Sequence, residues 1–365
     1  MNRRSSYLRI SVGLLLSSSA VFVSGLISGC GGLLHHSGAT EFAYVATGTH
    51  IAQYSVLPTG ELSPLIPATA PVTNAVAIAT VNSSFAYVAS QSDGVIAQFS
   101  IGVDGDLLPL APPTVHSGTT PAAVAATPNG QFVYVVNKGD STIAQFAAAV
   151  NGTLSPLVPP TVPVASGGNG LVVSPNGSFL YTTSSTAGKV SAFSIGVTGQ
   201  LTPLAVPTYN VTSPAGPAMT PDGNSLYVPL ATTGVAQFAI AADGSLAPLT
   251  PAVVSTPATG VDTAAVSPDG RFAYVGCGAG AAGSPVAQFR ISPNGTLSPL
   301  SPVSVAAGNS PYFVAVDLGG NFVYVANNTD TTVSQFAMNA GGILAALSPA
   351  TVSPGGAFQI ALAVK

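Results

Sequence analysis

Few side chains in this sequence could do chemistry, and the densest group of them is His116, Lys138, Asp140 and Lys189. A histidine with an ordinary pKa near 6.5 suits proton transfer at neutral pH. Two lysines could hold an anion or stabilise a developing oxyanion. The group therefore predicts His116 as a catalytic base and Lys138, Asp140 and Lys189 as binding residues around one small molecule. The alternative is that all four are solvated loop residues, since every loop must carry something polar.

Other chemistries are poorly supplied. His35 and His36 are adjacent in a linker, and His50 and His116 lie far from them and from each other, so no metal site is expected. Asp93, Asp140 and Asp330 fall in equivalent loops, but a cation there would need backbone carbonyls to complete its shell. The glycine-rich stretch from Gly276 to Gly283 lacks the Gly-Lys-Ser/Thr ending of a phosphate cradle. No cofactor is implied. Cys277 lies in that stretch, in what reads as a loop, with no base beside it, and is expected to be inert.

These residues must be positioned by a repeat. A block of the form F-x-Y-V, or a one-residue variant, recurs with its tyrosine at Tyr44, Tyr87, Tyr134, Tyr181, Tyr227, Tyr274 and Tyr324. A period near 47 is a repeat architecture. Each unit reads as four extended segments. Asn-Gly or Asp-Gly turns such as Asn129-Gly130 and Asp269-Gly270 follow the first, and a glycine from the series Gly60, Gly105, Gly152, Gly199, Gly244, Gly295 and Gly342 follows the third. The fourth segment carries prolines, as in Leu154-Ser155-Pro156-Leu157, so it belongs on a sheet edge. The first is rich in Ala and Val, which suits a crowded centre.

The pattern predicts an all-β fold: a seven-bladed β-propeller of four-stranded antiparallel blades, over residues 41–365. The repeat begins at Phe42 on a second strand, and Phe358 to Val364 reads as a first strand without followers. Pairing the two closes the ring. Acids such as Asp104, Asp222, Asp243, Asp269 and Asp317 then fall in hairpin turns on one face, as structural residues. His50, Asp93, His116, Lys138, Asp140, Lys189, Asp262, Asp330 and Asn169 fall on the opposite face, which carries the longer loops and is the candidate binding face.

Residues 1–29 differ. Arg3, Arg4 and Arg9 precede an apolar stretch from Ile10 to Ile27, which reads as a secretory signal. It ends in Leu26-Ile27-Ser28-Gly29-Cys30, which resembles the lipobox of bacterial lipoproteins. That resemblance implies a lipidated Cys30 followed by a linker over 30–40, with the membrane as a partner and a place in the cell envelope, on the outer membrane. Beyond residue 40 the chain has five bases, Lys138, Lys189, Arg271, Arg290 and Lys365, against twelve acids. No basic patch exists for phosphates, which excludes nucleic acid.

The repeated S-P-[ND]-G-x-F-x-Y-V, followed by V-x-Q-F and N-G-x-L-x-P-L, resembles the lactonase-type and YVTN-type β-propellers of bacteria, a group that includes propeller 6-phosphogluconolactonases. Only 5% of the residues are charged. On that sparse set, the leading expectation is an exported, lipid-anchored binding module that takes a small molecule, glycan or protein on its loop face. The alternative, implied by the resemblance, is a lactone hydrolase using His116, Lys138 and Lys189.

Overall fold

In the computed structural model, residues 41–278 and 284–365 are described; the expected signal segment, Cys30 and the linker lie outside them. The described residues form twenty-eight strands in seven four-stranded antiparallel sheets and contain no helix. The first strands of successive blades pack against one another around a central channel, except between blades four and five, where the first strand of blade five is short. Those of blades two to seven are Ala75–Val81, Pro121–Ala126, Gly168–Val173, Ala218–Met219, Val261–Val266 and Pro311–Val316.

Blade one is completed by the two ends of the chain, as expected. Gln359–Val364 is its first strand and pairs with Glu41–Ala46, with Tyr44 opposite Ala361. His50–Val56 and Leu62–Pro71 follow outward. No inner edge is left unpaired, which removes the usual hazard of an open sheet. The proline-bearing fourth strands are outermost in every blade, and none of the seven contains an Asp, Glu, Lys or Arg.

The repeated residues are the joints between blades. Each of the seven blade tyrosines is fully buried, and its hydroxyl donates to the turn glycine carbonyl of the next blade: Tyr44 to Gly105 at 2.6 Å, and so around to Tyr324, which reaches Gly60 of blade one at 2.7 Å. The glycine is needed twice over. Gly60 has φ of 91°, in the left-handed region, and a Cβ there would fall 2.2 Å from the Phe322 ring.

A third-strand glutamine makes the second joint. The Gln53 amide donates to Pro67 in its own blade at 3.1 Å, while its Oε1 accepts the N–H of Leu107 in the next blade at 2.7 Å. Gln98, Gln145, Gln237, Gln288 and Gln335 repeat this pattern. All six glutamines are fully buried and satisfied at both ends, which fixes the blade-to-blade register.

Three of the turn-face acids hold their own turns, as the sequence predicts for them. Asp222 and Asp269 each accept the backbone N–H two residues on, at 3.0 Å, and Asp317 accepts those of Asn321 and Phe322 at 2.6 Å. Arg271 and Arg290 both lie over the Phe272 ring, at 5.0 and 5.3 Å from its centroid. Cys277 departs from expectation. It ends the strand Phe272–Cys277 rather than sitting in a loop, paired with Val261, because the sheet continues two residues beyond the F-x-Y-V block. Burial pushes its thiol up to about 11, consistent with an inert side chain.

A candidate site in the central channel

Most first strands break register near the end that enters from the loop face. One extra residue is accommodated there: Val76 between Ala75 and Ala77, Ala122 between Pro121 and Ala123, Asn169 between Gly168 and Gly170, and Tyr312 between Pro311 and Phe313. In blade six the irregularity falls between Val261 and Ala264, at Asp262 and Thr263. A bulge of this kind re-aims a side chain. All five positions, counted back three residues from the partner of the blade tyrosine, line one cavity of about 190 Å³ in the loop-face half of the channel.

The same count gives Ala215 in blade five and Phe358 in blade one. Ala215 lines the cavity, and at the closure Gln359 does so beside Phe358. The ring is therefore mostly apolar, with three polar exceptions: Asn169, Asp262 and Tyr312. At about 30 Å³ per water, the space would hold roughly six waters or one molecule of monosaccharide size.

Asp262 is the one carboxylate among the described residues that line this cavity. Burial raises its pKa from the ordinary carboxyl value to about 6. Its backbone is held firmly: the carbonyl accepts the Gly216 N–H at 2.8 Å, and Gly216 forms a parallel bridge with Thr263. That bridge joins blades five and six where the first strand of blade five is only two residues long. Pro214 and Pro217, just before that strand, have no N–H to offer a ladder.

On the next blade, Tyr312 has its hydroxyl pKa raised by burial and by the Asp262 charge, so it remains a protonated donor. The Thr263 hydroxyl donates to the Tyr312 carbonyl at 3.0 Å and accepts the Val314 N–H at 3.1 Å, tying blades six and seven together. Across the channel, the Asn169 amide nitrogen donates to the Pro214 carbonyl at 3.0 Å. That bond fixes the amide orientation. Its Oδ1 is buried and has no hydrogen-bond partner.

None of His116, Lys138, Asp140 and Lys189 lines the cavity. His116 is the last residue of the outermost strand of blade two, Leu107–His116, and is exposed. Three strand spacings of about 4.8 Å put it roughly 14 Å from the inner strand of its own blade. Lys189 begins the third strand of blade four, and its Nζ bonds the outer-strand Asn210 Oδ1 at 3.2 Å. Lys138 comes nearest the channel: its backbone N–H bonds Thr120, two residues before Ala122, while its side chain is exposed.

Asp140 caps a local turn, accepting the Thr119 N–H at 2.5 Å; those Thr119 bonds, and secondarily the His116 charge, hold its carboxyl below the usual range. His116 and Asp140 thus share a neighbourhood on the rim, apart from the channel. Among the described residues, no cluster of three or more His, Cys, Asp or Glu is arranged to hold a metal ion.

The sequence places Asp262 and Asn169 on the loop face but gives no reason to favour them over a dozen other polar residues there. The missed signal is the bulge register. Counting back from the residue opposite each blade tyrosine would have isolated one position per blade, and Asp262 is the only charged residue among the seven.

Comparison with known proteins agrees with the fold. Residues 261–357 match the family model described as a lactonase, 7-bladed β-propeller, a segment that includes both Asp262 and Tyr312. No curated protein matches the chain. Among solved structures, a candidate 6-phosphogluconolactonase from Bacteroides fragilis superposes with a TM-score of 0.78 at 20% identity, covering 90% of this chain and 99% of its own. A similar candidate from Bacteroides uniformis gives 0.73 at 21% identity, covering 88% and 99%. The periplasmic gluconolactonase of Pseudomonas aeruginosa gives 0.72 at 18% identity, covering 89% and 99%. At these identities the likeness is one of fold.

Proposed function

We propose that this propeller is a lactone hydrolase working at the loop-face mouth of its channel, with Asp262 as general base. The observation that carries the reading is a solitary carboxylate, raised to about 6, inside an otherwise uncharged cavity sized for one small ring. A base with a pKa just below neutral is ionised yet still a competent proton acceptor. The lactonase match across Asp262 and Tyr312, and the lactonase names carried by fold relatives, support the same chemistry.

In the proposed reaction, Asp262 takes a proton from a water as its oxygen adds to the lactone carbonyl carbon. The charge developing on the carbonyl oxygen meets the protonated Tyr312 phenol. Collapse breaks the bond between that carbon and the ring oxygen, which receives the proton back from Asp262. The product is a hydroxy acid whose carboxyl is fully ionised at neutral pH, and repulsion from ionised Asp262 favours its departure.

The test is turnover of sugar lactones by the full chain. Proton transfer of this kind is worth about 100- to 10,000-fold, so Asp262→Asn should lose at least 100-fold in kcat. Absence of turnover in the wild type, or loss on His116→Ala with Asp262→Asn unaffected, would contradict the assignment. A non-catalytic binding module is the second reading. It is favoured by the absence of any histidine or lysine from the described cavity lining, and the same assay separates it.

The propeller is further proposed to be exported and lipid-anchored through Cys30 in the cell envelope, on the outer membrane. The support is the charge, apolar run and lipobox-like order in the sequence. Radiolabelled fatty acid should be incorporated by the wild type and not by Cys30→Ser. Equal labelling of the two would exclude the anchor.

A further inference from the structure

Among the described residues, no lysine or arginine lines the channel cavity. Lys189 is bonded to Asn210 on an outer strand. Arg271 and Arg290 lie over Phe272 at the turn-face end of blade six. Lys365 follows the closing strand at its turn-face end. Lys138 is on the loop face with an exposed side chain outside the cavity lining. Residues 279–283 read Ala-Gly-Ala-Ala-Gly, so that segment has no cation to contribute.

Phosphate recognition is commonly built on Arg or Lys side chains, which neutralise its charge, or on helix N-termini. The cavity lining offers no cation, the described chain has no helix, and the one charge present is the like-signed Asp262. Asn169 adds a directional argument. Its amide nitrogen donates one N–H to Pro214, and its buried Oδ1 is an acceptor without a donor, an arrangement that a donating group from a ligand would relieve. Ionised Asp262 is likewise an acceptor. The polar groups of the lining therefore comprise acceptors for a ligand's hydroxyls, Asn169 Oδ1 and Asp262, and neutral donors such as the Tyr312 phenol and the Gln359 amide, with no cation to neutralise a phosphate dianion.

We infer that the ligand of this cavity is a neutral, unphosphorylated polyhydroxy lactone, one of whose hydroxyls donates to Asn169 Oδ1. The inference rests on the cavity being the lactone site proposed above. It sets this chain apart from a sugar-phosphate lactonase by the chemistry of its own channel.

The experiment compares glucono-1,5-lactone with its 6-phosphate on the full chain. The plain lactone should be preferred at least 10-fold in kcat/KM. Asn169→Ala should raise KM for it about 10-fold with little change in kcat, because the lost bond is made in the ground state and the transition state alike. Equal or better turnover of the phosphate, above all if Lys138→Met abolishes it, would overturn the inference while sparing the hydrolase reading.

Turnover of neither would remove the hydrolase reading, and the ligand class is then decided by calorimetry with the non-hydrolysable gluconolactam and its 6-phosphate. Binding at least 10-fold tighter for the neutral lactam, weakened by Asn169→Ala, upholds the inference. Tighter or equal binding of the phosphate, or binding of neither, overturns it.

Discussion

The Tyr209 hydroxyl accepts the N–H of Leu246 from the next blade at 2.8 Å, where every other blade uses a glutamine. Blade four has Ala192 at the glutamine position, opposite Tyr181, so the joint is remade by a residue from its own outer strand. Tyr209→Phe leaves the Leu246 N–H without a partner and should cost about 1–3 kcal/mol, a loss of several degrees in Tm. Adding Ala192→Gln should restore part of it. An unchanged melt in Tyr209→Phe would show that the joint contributes nothing.

Removing residues 359–365 takes away the inner strand of blade one and bares the edge of Glu41–Ala46, five of whose six residues are buried. Unfolding or association is expected, because an open hydrophobic edge is a template for pairing. Gel filtration with a thermal melt checks this; a monomer with the parental Tm would contradict closure by that strand.

Blades four and five approach closely at Gly170, where a Cβ would lie 2.5 Å from the Pro217 ring and 3.0 Å from Gly216 Cα. Gly170→Ala must push apart two backbones next to Asn169 and should destabilise by about 1–3 kcal/mol. Chemical denaturation of the variant is the check, and a shift below about 0.5 kcal/mol would mean that the contact yields easily.

Stability should rise as pH falls toward about 5. Burial raises Glu41 to about 7, with the neighbouring Asp317 charge adding to it, and raises Asp317 and Asp262 as well. A carboxyl that binds its proton more tightly when folded stabilises the fold as pH drops through its folded pKa. Well below pH 5 the trend reverses, since hydrogen bonds hold Asp93, Asp140 and Asp243 below the usual range and their stabilisation is lost on protonation. Glu41→Gln should flatten the limb between pH 6 and 8. A Tm that climbs steadily from pH 5 to 8 would contradict the assignment.

The fold was legible because its determinants repeat. Tyrosine and turn glycine recur in every unit, the third-strand glutamine in all but blade four, and prolines in every outer strand, and each does one structural job, from the Tyr44–Gly105 bond to the paired ends of the chain. The cavity residues were not legible in the same way, because they are where the repeat departs from itself. Val76, Ala122, Asn169, Ala215, Asp262 and Tyr312 share a register position and nothing else, and at the closure Gln359 lines the cavity in place of Phe358. Sequence reasoning weighted His116, Lys138 and Lys189 by chemical type. The number of strands between a residue and the axis decides reach, and it counts against His116 and Lys189.

The pH dependence of lactone hydrolysis tests the role of Asp262 most directly. After subtraction of uncatalysed hydrolysis, kcat/KM of the wild type should rise with pH through a midpoint near 6, the pKa set by burial of that carboxyl. Asp262→Asn should lose the limb along with at least 100-fold of the rate, while melting no lower than the wild type above pH 7, since a buried charge has been removed. A flat profile from pH 5 to 8, or a limb near 6 that survives in Asp262→Asn, would contradict Asp262 as the base.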